Sequence, residues 1–216
     1  NMDTICENKP VDTSFTLFGR TVDLPVFAAP VGAMTLHYGD KYNDLAYNDI
    51  LVAACAEAGI AAFTGDGTDP AVMEGAAAAI AKNGGCGVPT VKPWNLETIR
   101  QKMDLVKAAD PFAIAMDIDA AGLPFLKNMT PPAGSKTVEE LREIVAMAEK
   151  PFIVKGIMTP DDAHRAIDAG CDAIVVSNHG GRVLDHCPGT ATVLPAIADA
   201  VRGKITILAD GAVRDG

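Results

Sequence analysis

Short, wholly apolar runs alternate along the chain with Ala-rich amphipathic ones. VFAAPV (26–31) precedes NDILVAACAEAG (48–59), IAAFTG (60–65) precedes PAVMEGAAAAIAK (70–82), and CGVPTV (86–91) precedes LETIRQKMDLVKAA (96–109). FAIAMDI (112–118) leads through a polar loop to TVEELREIVAMAE (137–149), and PFIVKGI (151–157) precedes PDDAHRAIDAG (160–170). DAIVVSN (172–178) precedes TATVLPAIADAV (190–201), and ITILADG (205–211) comes last. The apolar runs are too short for helices and too uniformly apolar for strands with one wet face, so they predict buried parallel strands. The runs between them have helical spacing, with a start signal at Thr159-Pro160 and stop signals at Gly59 and Gly170.

Repeated βα units predict either a (β/α)8 TIM barrel or a doubly wound sheet. A closed barrel has eight strands and typically about 250 residues. Only seven strand-like runs fit in the 216 residues. We therefore read an α/β barrel apparently lacking its eighth strand, as a single domain over 1–216 that is incomplete at both ends. The longest loop, 119–136, holds Gly122, Pro124, Pro131, Pro132, Gly134 and Ser135. It is expected to be a lid or a disordered loop. Polar residues gather just after the strands' C-terminal ends, where both folds place their sites.

Charge narrows the partners. A formal net charge of −10 argues against nucleic acid and anionic membranes, though not against one local pocket for a small anion. Hydrophobic residues make up 49%, which marks a globular chain rather than a disordered one. Cys6, Cys55, Cys86, Cys171 and Cys187 include no CxxC pair, so reduced thiols in a cytoplasmic protein are expected. No apolar run approaches the roughly 18 to 20 residues of a membrane span. No secretory leader is seen at the start.

The candidate chemistry lies at the ends of the last three runs. Lys155 sits inside an apolar strand, and a buried ammonium needs an anion or an electron-rich partner. A carboxylate on a neighbouring strand would satisfy it equally well. In VSNHGGRVLD (176–185), Ser177, Asn178, His179 and Arg182 follow a buried strand. A histidine there can act as a general base, and an arginine's planar fork suits a carboxylate. Gly180 and Gly181 let the chain turn sharply or let something flat approach. Asp210, Ala212 and Arg214 follow the last strand, where a polyol or phosphate contact is possible.

Other constellations fail. His37, His164, His179 and His186 have no metal-ligand spacing with cysteine. No Walker loop and no GxGxxG follows a strand. GDGTD (65–69) starts like a calcium loop but lacks the later ligands. Trp94, at a strand end, could wall a pocket or simply pack.

KGI (155–157), VSNHGGRVLD (176–185) and DGAVRDG (210–216) resemble the flavin-dependent α-hydroxy acid oxidase and dehydrogenase family, which includes glycolate and lactate oxidases. VDTSFTLFG (11–19) and PVFAAPVGAM (25–34) are similar to that family's lead-in and first strand, so the resemblance runs along the whole chain in order. It implies a (β/α)8 barrel holding FMN and oxidation of a 2-hydroxy acid to a 2-oxo acid. It further implies that Lys155 lies by the flavin's N1/O2 edge and that Ser177 contacts the flavin. His179 would take the substrate's proton, and Arg182 would clamp its carboxylate. The backbone of Pro30, Val31 and Gly32 would pass the flavin's N5 region, with Asp210, Ala212 and Arg214 near the ribityl-phosphate. A homo-oligomer is expected on the same ground. The electron acceptor, oxygen or another carrier, is left open.

Several positions depart from the family's pattern. Its third strand usually carries Gln and Tyr, where Pro89 and Val91 stand near those places. Its fourth strand usually ends in Thr and Asp, followed by an Arg-rich segment; here Asp117 replaces the Thr, Asp119 is kept and the Arg is absent. Lys92 or Lys127 could substitute for it. The second-strand Ser is replaced within Thr64-Gly65-Asp66, and Ala212 and Asp215 stand for Gly and Arg. Losing one guanidinium from a carboxylate grip costs about 1.5 to 3 kcal/mol, so a substrate other than glycolate or lactate is expected. Two other readings fit the departures. One is an FMN barrel of another reaction type, similar to the type 2 isopentenyl diphosphate isomerase. The other is a non-catalytic flavin-binding barrel.

Overall fold

Residues 9–124 and 126–213 are described by the structure, a computed structural model. An antiparallel hairpin of β1 (Phe15–Leu17) and β2 (Arg20–Val22) comes first, turning at Phe18 and Gly19 with φ of 48° and 80°. The apolar pattern does not predict this hairpin.

All seven predicted strand runs join one parallel sheet. Its strands are β3 (Phe27–Ala28), β4 (Ala61–Thr64), β5 (Gly87–Val91), β6 (Ile114–Asp117), β7 (Phe152–Ile157), β8 (Ala173–Val176) and β9 (Thr206–Ala209). They lie side by side in chain order with every pairing parallel. A doubly wound sheet reverses its strand order at a switch point, and this sheet does not. Neither β3 nor β9 has a further strand beside it among the described residues.

The period of two along each strand shows how the sheet is shaped. Phe63, Val88, Ala115, Ile153, Ala173 and Val175 form one buried cluster, with Phe27 and Leu208 packed against it. Side chains from all seven strands meet there, so the sheet curls around them as a barrel wall. The alternate residues Val91, Ile114, Met116, Phe152, Val154, Ile174 and Val176 point the other way, into a larger core shared with the helices. Burial on both faces is why the strands read as unbroken apolar runs.

The helices are α1 (Met34–Tyr38), α2 (Asp44–Glu57), α3 (Pro70–Lys82), α4 (Leu96–Ala108), α5 (Val138–Ala148), α6 (Pro160–Ala169) and α7 (Thr190–Val201). Asn43, Asp69, Asn95, Thr137 and Thr159 cap α2 to α6 by accepting a backbone N–H with their side chains. Each such cap contributes about 1 kcal/mol. The Asn43 cap explains why α2 begins at Asp44, before the predicted 48.

Two expectations need correction. VFAAPV yields only the two-residue β3, and the chain from Ala29 to Ala33 runs on without regular structure to α1. Across its described residues, the 119–136 segment is an ordered, packed stretch and not a disordered loop. It carries short 3-10 turns at Ile118–Gly122 and Leu126–Asn128 that bury Ala120, Leu123 and Leu126 in the outer core. Asn95 N donates to Pro132 O, Gly134 N to Pro93 O, and Lys136 Nζ to both Pro93 O and Gly134 O. These bonds tie the segment to the end of β5. Cys55, Cys86, Cys171 and Cys187 are free thiols, and Cys6 lies outside the described residues. No described helix is long and apolar enough to cross a membrane.

Candidate active site

Two residues further along the inner face, the five strands β5 to β9 change from apolar to polar. Val88 gives way to Thr90 and then Lys92, Ala115 to Asp117, Ile153 to Lys155, Val175 to Ser177 and Leu208 to Asp210. A cavity of about 650 Å³ opens over this layer. Thr90, Lys92, Asp117, Lys155 and Asp210 line it, with Ala29 to Ala33 on one side and His179, Gly180 and Arg182 on another. A second cavity of about 580 Å³ lies between β3 and β9 and shares Ala29, Pro30, Lys155, Asp210, Gly211 and Ala212 with the first. Both volumes lie within the range of small-molecule and cofactor sites.

The buried charges in this layer are paired. Lys155 Nζ donates to Ser177 Oγ at 3.0 Å and lies 3.4 Å from Asp210 Oδ2. The neighbouring carboxylate expected as one alternative is therefore present, and Lys155 still faces both cavities. Ser177 is fully buried and lines neither cavity. It holds Lys155 from behind and also accepts the His179 backbone N–H at 3.2 Å. Lys92 Nζ lies 3.1 Å from Asp117 Oδ2. Burial works to lower the pKa of Lys92, but Asp117, then Asp66 and Asp119, outweigh it and hold the ammonium above its usual range. Burial pushes the Asp117 carboxyl up, opposed by Lys92, His179 and Lys155.

His179 is aimed by its backbone and by a carboxylate. Its φ is 56°, and Gly180 and Gly181 follow at 66° and 74°. Left-handed backbone costs a non-glycine residue free energy and concentrates at functional sites. A Cβ at Gly180 or Gly181 would meet nothing within 4 Å, so this conformation is what calls for glycine there. Nδ1 of His179 lies 3.1 and 3.2 Å from the two oxygens of Asp119. A carboxylate on Nδ1 favours the tautomer with the proton there and leaves Nε2 basic. Gly156 makes room for this pair: its φ is 106°, and a Cβ there would run into the Asp119 side chain. The glycine of KGI thus serves a residue on the neighbouring strand's loop. Arg182 stands exposed at the cavity rim and has no ion pair among the described residues.

Sequence reasoning set Pro89 and Val91 near the places of the family's Gln and Tyr, and neither lines the cavity. Val91 packs outward, and the side chains facing the cavity from β5 are Thr90 and Lys92. It also missed Asp66. That carboxylate is fully buried, with Oδ1 accepting from Lys102 Nζ at 2.7 Å and Gly67 N at 2.8 Å. Its Oδ2 accepts from Trp94 Nε1 at 2.7 Å and from the Lys92 backbone N at 3.0 Å. Asp66 thus clamps the end of β4 to the β5–α4 connection, and Trp94 is a buried donor in that clamp. The only local signal was an acid directly after a buried strand. Arg214 lies outside the described residues.

The sequence profile of FMN-dependent dehydrogenases matches residues 1–128 and 125–216 of this chain. L-lactate dehydrogenases from Chromohalobacter salexigens and Yersinia pestis are each 53% identical to it over 89 residues, 41% of this chain and 22% and 23% of theirs. A lactate oxidase structure from Pediococcus acidilactici superposes with a TM-score of 0.76 at 26% identity, covering 95% of this chain and 61% of that one. A mandelate oxidase variant superposes with a TM-score of 0.79 at 26% identity, covering 99% and 65%. Another mandelate oxidase structure, with a TM-score of 0.72 at 28% identity over 95% and 64% of the two chains, carries an FMN adduct. The chain spans less than two thirds of these oxidases, and its match covers about a fifth of the lactate dehydrogenases.

Proposed function

The chain belongs to the family of FMN-dependent dehydrogenases, and from that premise we propose that it oxidises a 2-hydroxy acid to the 2-oxo acid with bound FMN. The observation that carries the reading is His179, paired with Asp119, facing one cavity with Arg182 and a buried Lys155.

The residues present fit the cofactor. Lys155 supplies a buried ammonium to a wall that two adjoining cavities share, which suits a flat ring that gains negative charge on reduction. Pro30, Val31 and Gly32 line the larger of these cavities as well. Gly32 is held close, since a Cβ there would lie 2.9 Å from Asp66 O. Asp210 and Ala212 would flank the ribityl chain. FMN, when bound, supplies the two-electron acceptor.

The chain's own groups do the rest. Arg182 offers its fork to the substrate carboxylate. His179 Nε2 takes the substrate's proton, and Asp119 stabilises the imidazolium that results. Ser177 and Asp210 hold the Lys155 ammonium in place. The overall change is loss of two electrons and two protons from the hydroxy acid. A cytoplasmic location and a homo-oligomeric state belong to the same reading, supported by the free thiols and by the family resemblance.

An absorption spectrum of the FMN-loaded protein, taken before and after anaerobic addition of 2-hydroxy acids, tests this. The flavin band is expected to bleach with at least one acid. A flavin that no acid bleaches would overturn the reading. Gly156→Ala should push Asp119 off His179 and slow that bleaching by about 10-fold or more, because a misplaced orienting group costs rate steeply. Unchanged kinetics in that variant would mean the Asp119 contact does not matter.

A further inference from the structure

A third cavity lies outside the barrel wall, between the starts of α5 and α6 and the end of β7. Its volume is about 560 Å³, and it shares no lining residue with the two cavities described above. Its floor is apolar, made by Ile118, Val138, Leu141, Val154, Ile157 and Ala166. Its charged residues are Asp119, Lys136, Asp162 and Arg165. Three of these have ionic partners. Asp119 faces His179 Nδ1 at 3.1 Å, and Asp162 accepts from Arg165 Nη1 at 2.8 Å. Lys136 differs. Its Nζ donates to two backbone carbonyls, Pro93 O at 3.0 Å and Gly134 O at 2.7 Å, and it makes no ion pair among the described residues. The nearby Glu140 carboxylate accepts the Thr137 backbone N–H at 2.7 Å instead. Burial depresses the Lys136 pKa, and Glu140 offsets this only in part. A half-buried ammonium with one N–H to spare suits an anion.

We propose that this cavity is an effector site for a small monocarboxylate with an apolar tail, and that filling it speeds proton removal by His179. The second half rests on the reading of His179 as the base; the binding itself does not.

The charge count selects the ligand. One unmatched cation calls for one negative charge, and the apolar floor calls for a hydrocarbon tail. A second carboxylate would meet Asp119 or Asp162. An ammonium would meet Lys136 and Arg165. Asp119 couples this cavity to the active site. It stands in the wall of the third cavity, yet its two oxygens lie 3.1 and 3.2 Å from the Nδ1 of His179, which faces the other. A tail laid against Asp119 excludes water, and its carboxylate then interacts more strongly with the Nδ1 proton. The ligand's own charge also favours the imidazolium. Both effects make Nε2 a better base.

Pentanoate, glutarate and pentylammonium are the probes. Calorimetry on the FMN-loaded Arg182→Met protein reads the third cavity alone, because that variant lacks the carboxylate grip proposed for the substrate. Pentanoate should bind, with glutarate and pentylammonium each about 10-fold or more weaker, since like charges then meet. Adding Lys136→Met should weaken pentanoate by about 10- to 100-fold, as loss of a hydrogen bond to a charged group implies. Lys136 also ties its segment to the end of β5, so Val138→Phe serves as a second variant that fills the cavity and leaves the lysine in place. With Arg182 intact and 2-hydroxy acid saturating, pentanoate should speed flavin bleaching by about 2- to 5-fold, and Val138→Phe should abolish that gain. Pentanoate that fails to bind the Arg182→Met protein, or binds equally well after Lys136→Met and Val138→Phe, would overturn the site. Binding that leaves the bleaching rate unchanged would overturn its role as an effector. Should no 2-hydroxy acid bleach the flavin, the oxidase reading falls, and calorimetry still decides the site.

Discussion

His179→Ala is expected to slow 2-hydroxy-acid-driven reduction of the bound flavin by about 10²- to 10⁴-fold, the usual contribution of a positioned general base. The substrate is still gripped by Arg182, so the loss should fall mainly on the rate at saturating substrate. Stopped-flow absorbance under anaerobic conditions reads that rate directly. His179→Asn is the companion variant, because asparagine tolerates the left-handed backbone found at this position (φ 56°) better than alanine does. Equal losses in the two variants would tie the effect to the missing base and not to a shifted turn. A wild-type rate in either one would sink the role assigned to His179.

Asp66→Ala carries the largest expected effect on stability. The substitution strips four hydrogen bonds from one buried carboxylate and leaves Lys102 Nζ without the partner it had at 2.7 Å. Its side chain and that of Lys102 are only 0% and 11% exposed. Removing one member of a buried ion pair typically costs about 3 to 5 kcal/mol. A urea titration followed by Trp94 fluorescence should show the midpoint falling accordingly, since Trp94 Nε1 donates to the same carboxylate. Asp66→Asn keeps an acceptor and loses the charge, so its midpoint should lie between the other two. A midpoint unmoved by Asp66→Ala would show that the clamp contributes nothing to the fold.

Much of this architecture is legible along the chain. α3 occupies the predicted 70–82, and β4 to β9 all lie inside the predicted runs. Those elements are governed by local rules: helical period, caps, glycine stops and the short apolar runs of two-sided burial. Lys155 stood out as a charge inside an apolar strand, and His179 and Arg182 as polar groups in the loop that follows one.

Tertiary structure decided which of those groups meet. A run buried on both faces carries no mark of which alternate residues turn inward. Thr90 and Lys92, not Pro89 and Val91, therefore reach the cavity only through the register of β5 with its neighbours. Asp119 and His179 are 60 residues apart, and Lys102 and Asp66 are 36 apart. Their pairing follows from the curl of the sheet, which brings the strand ends round one mouth. The local pattern of a sequence specifies each strand and helix; the closing of the wall specifies their charged partners, because those contacts depend on distances that no local spacing encodes.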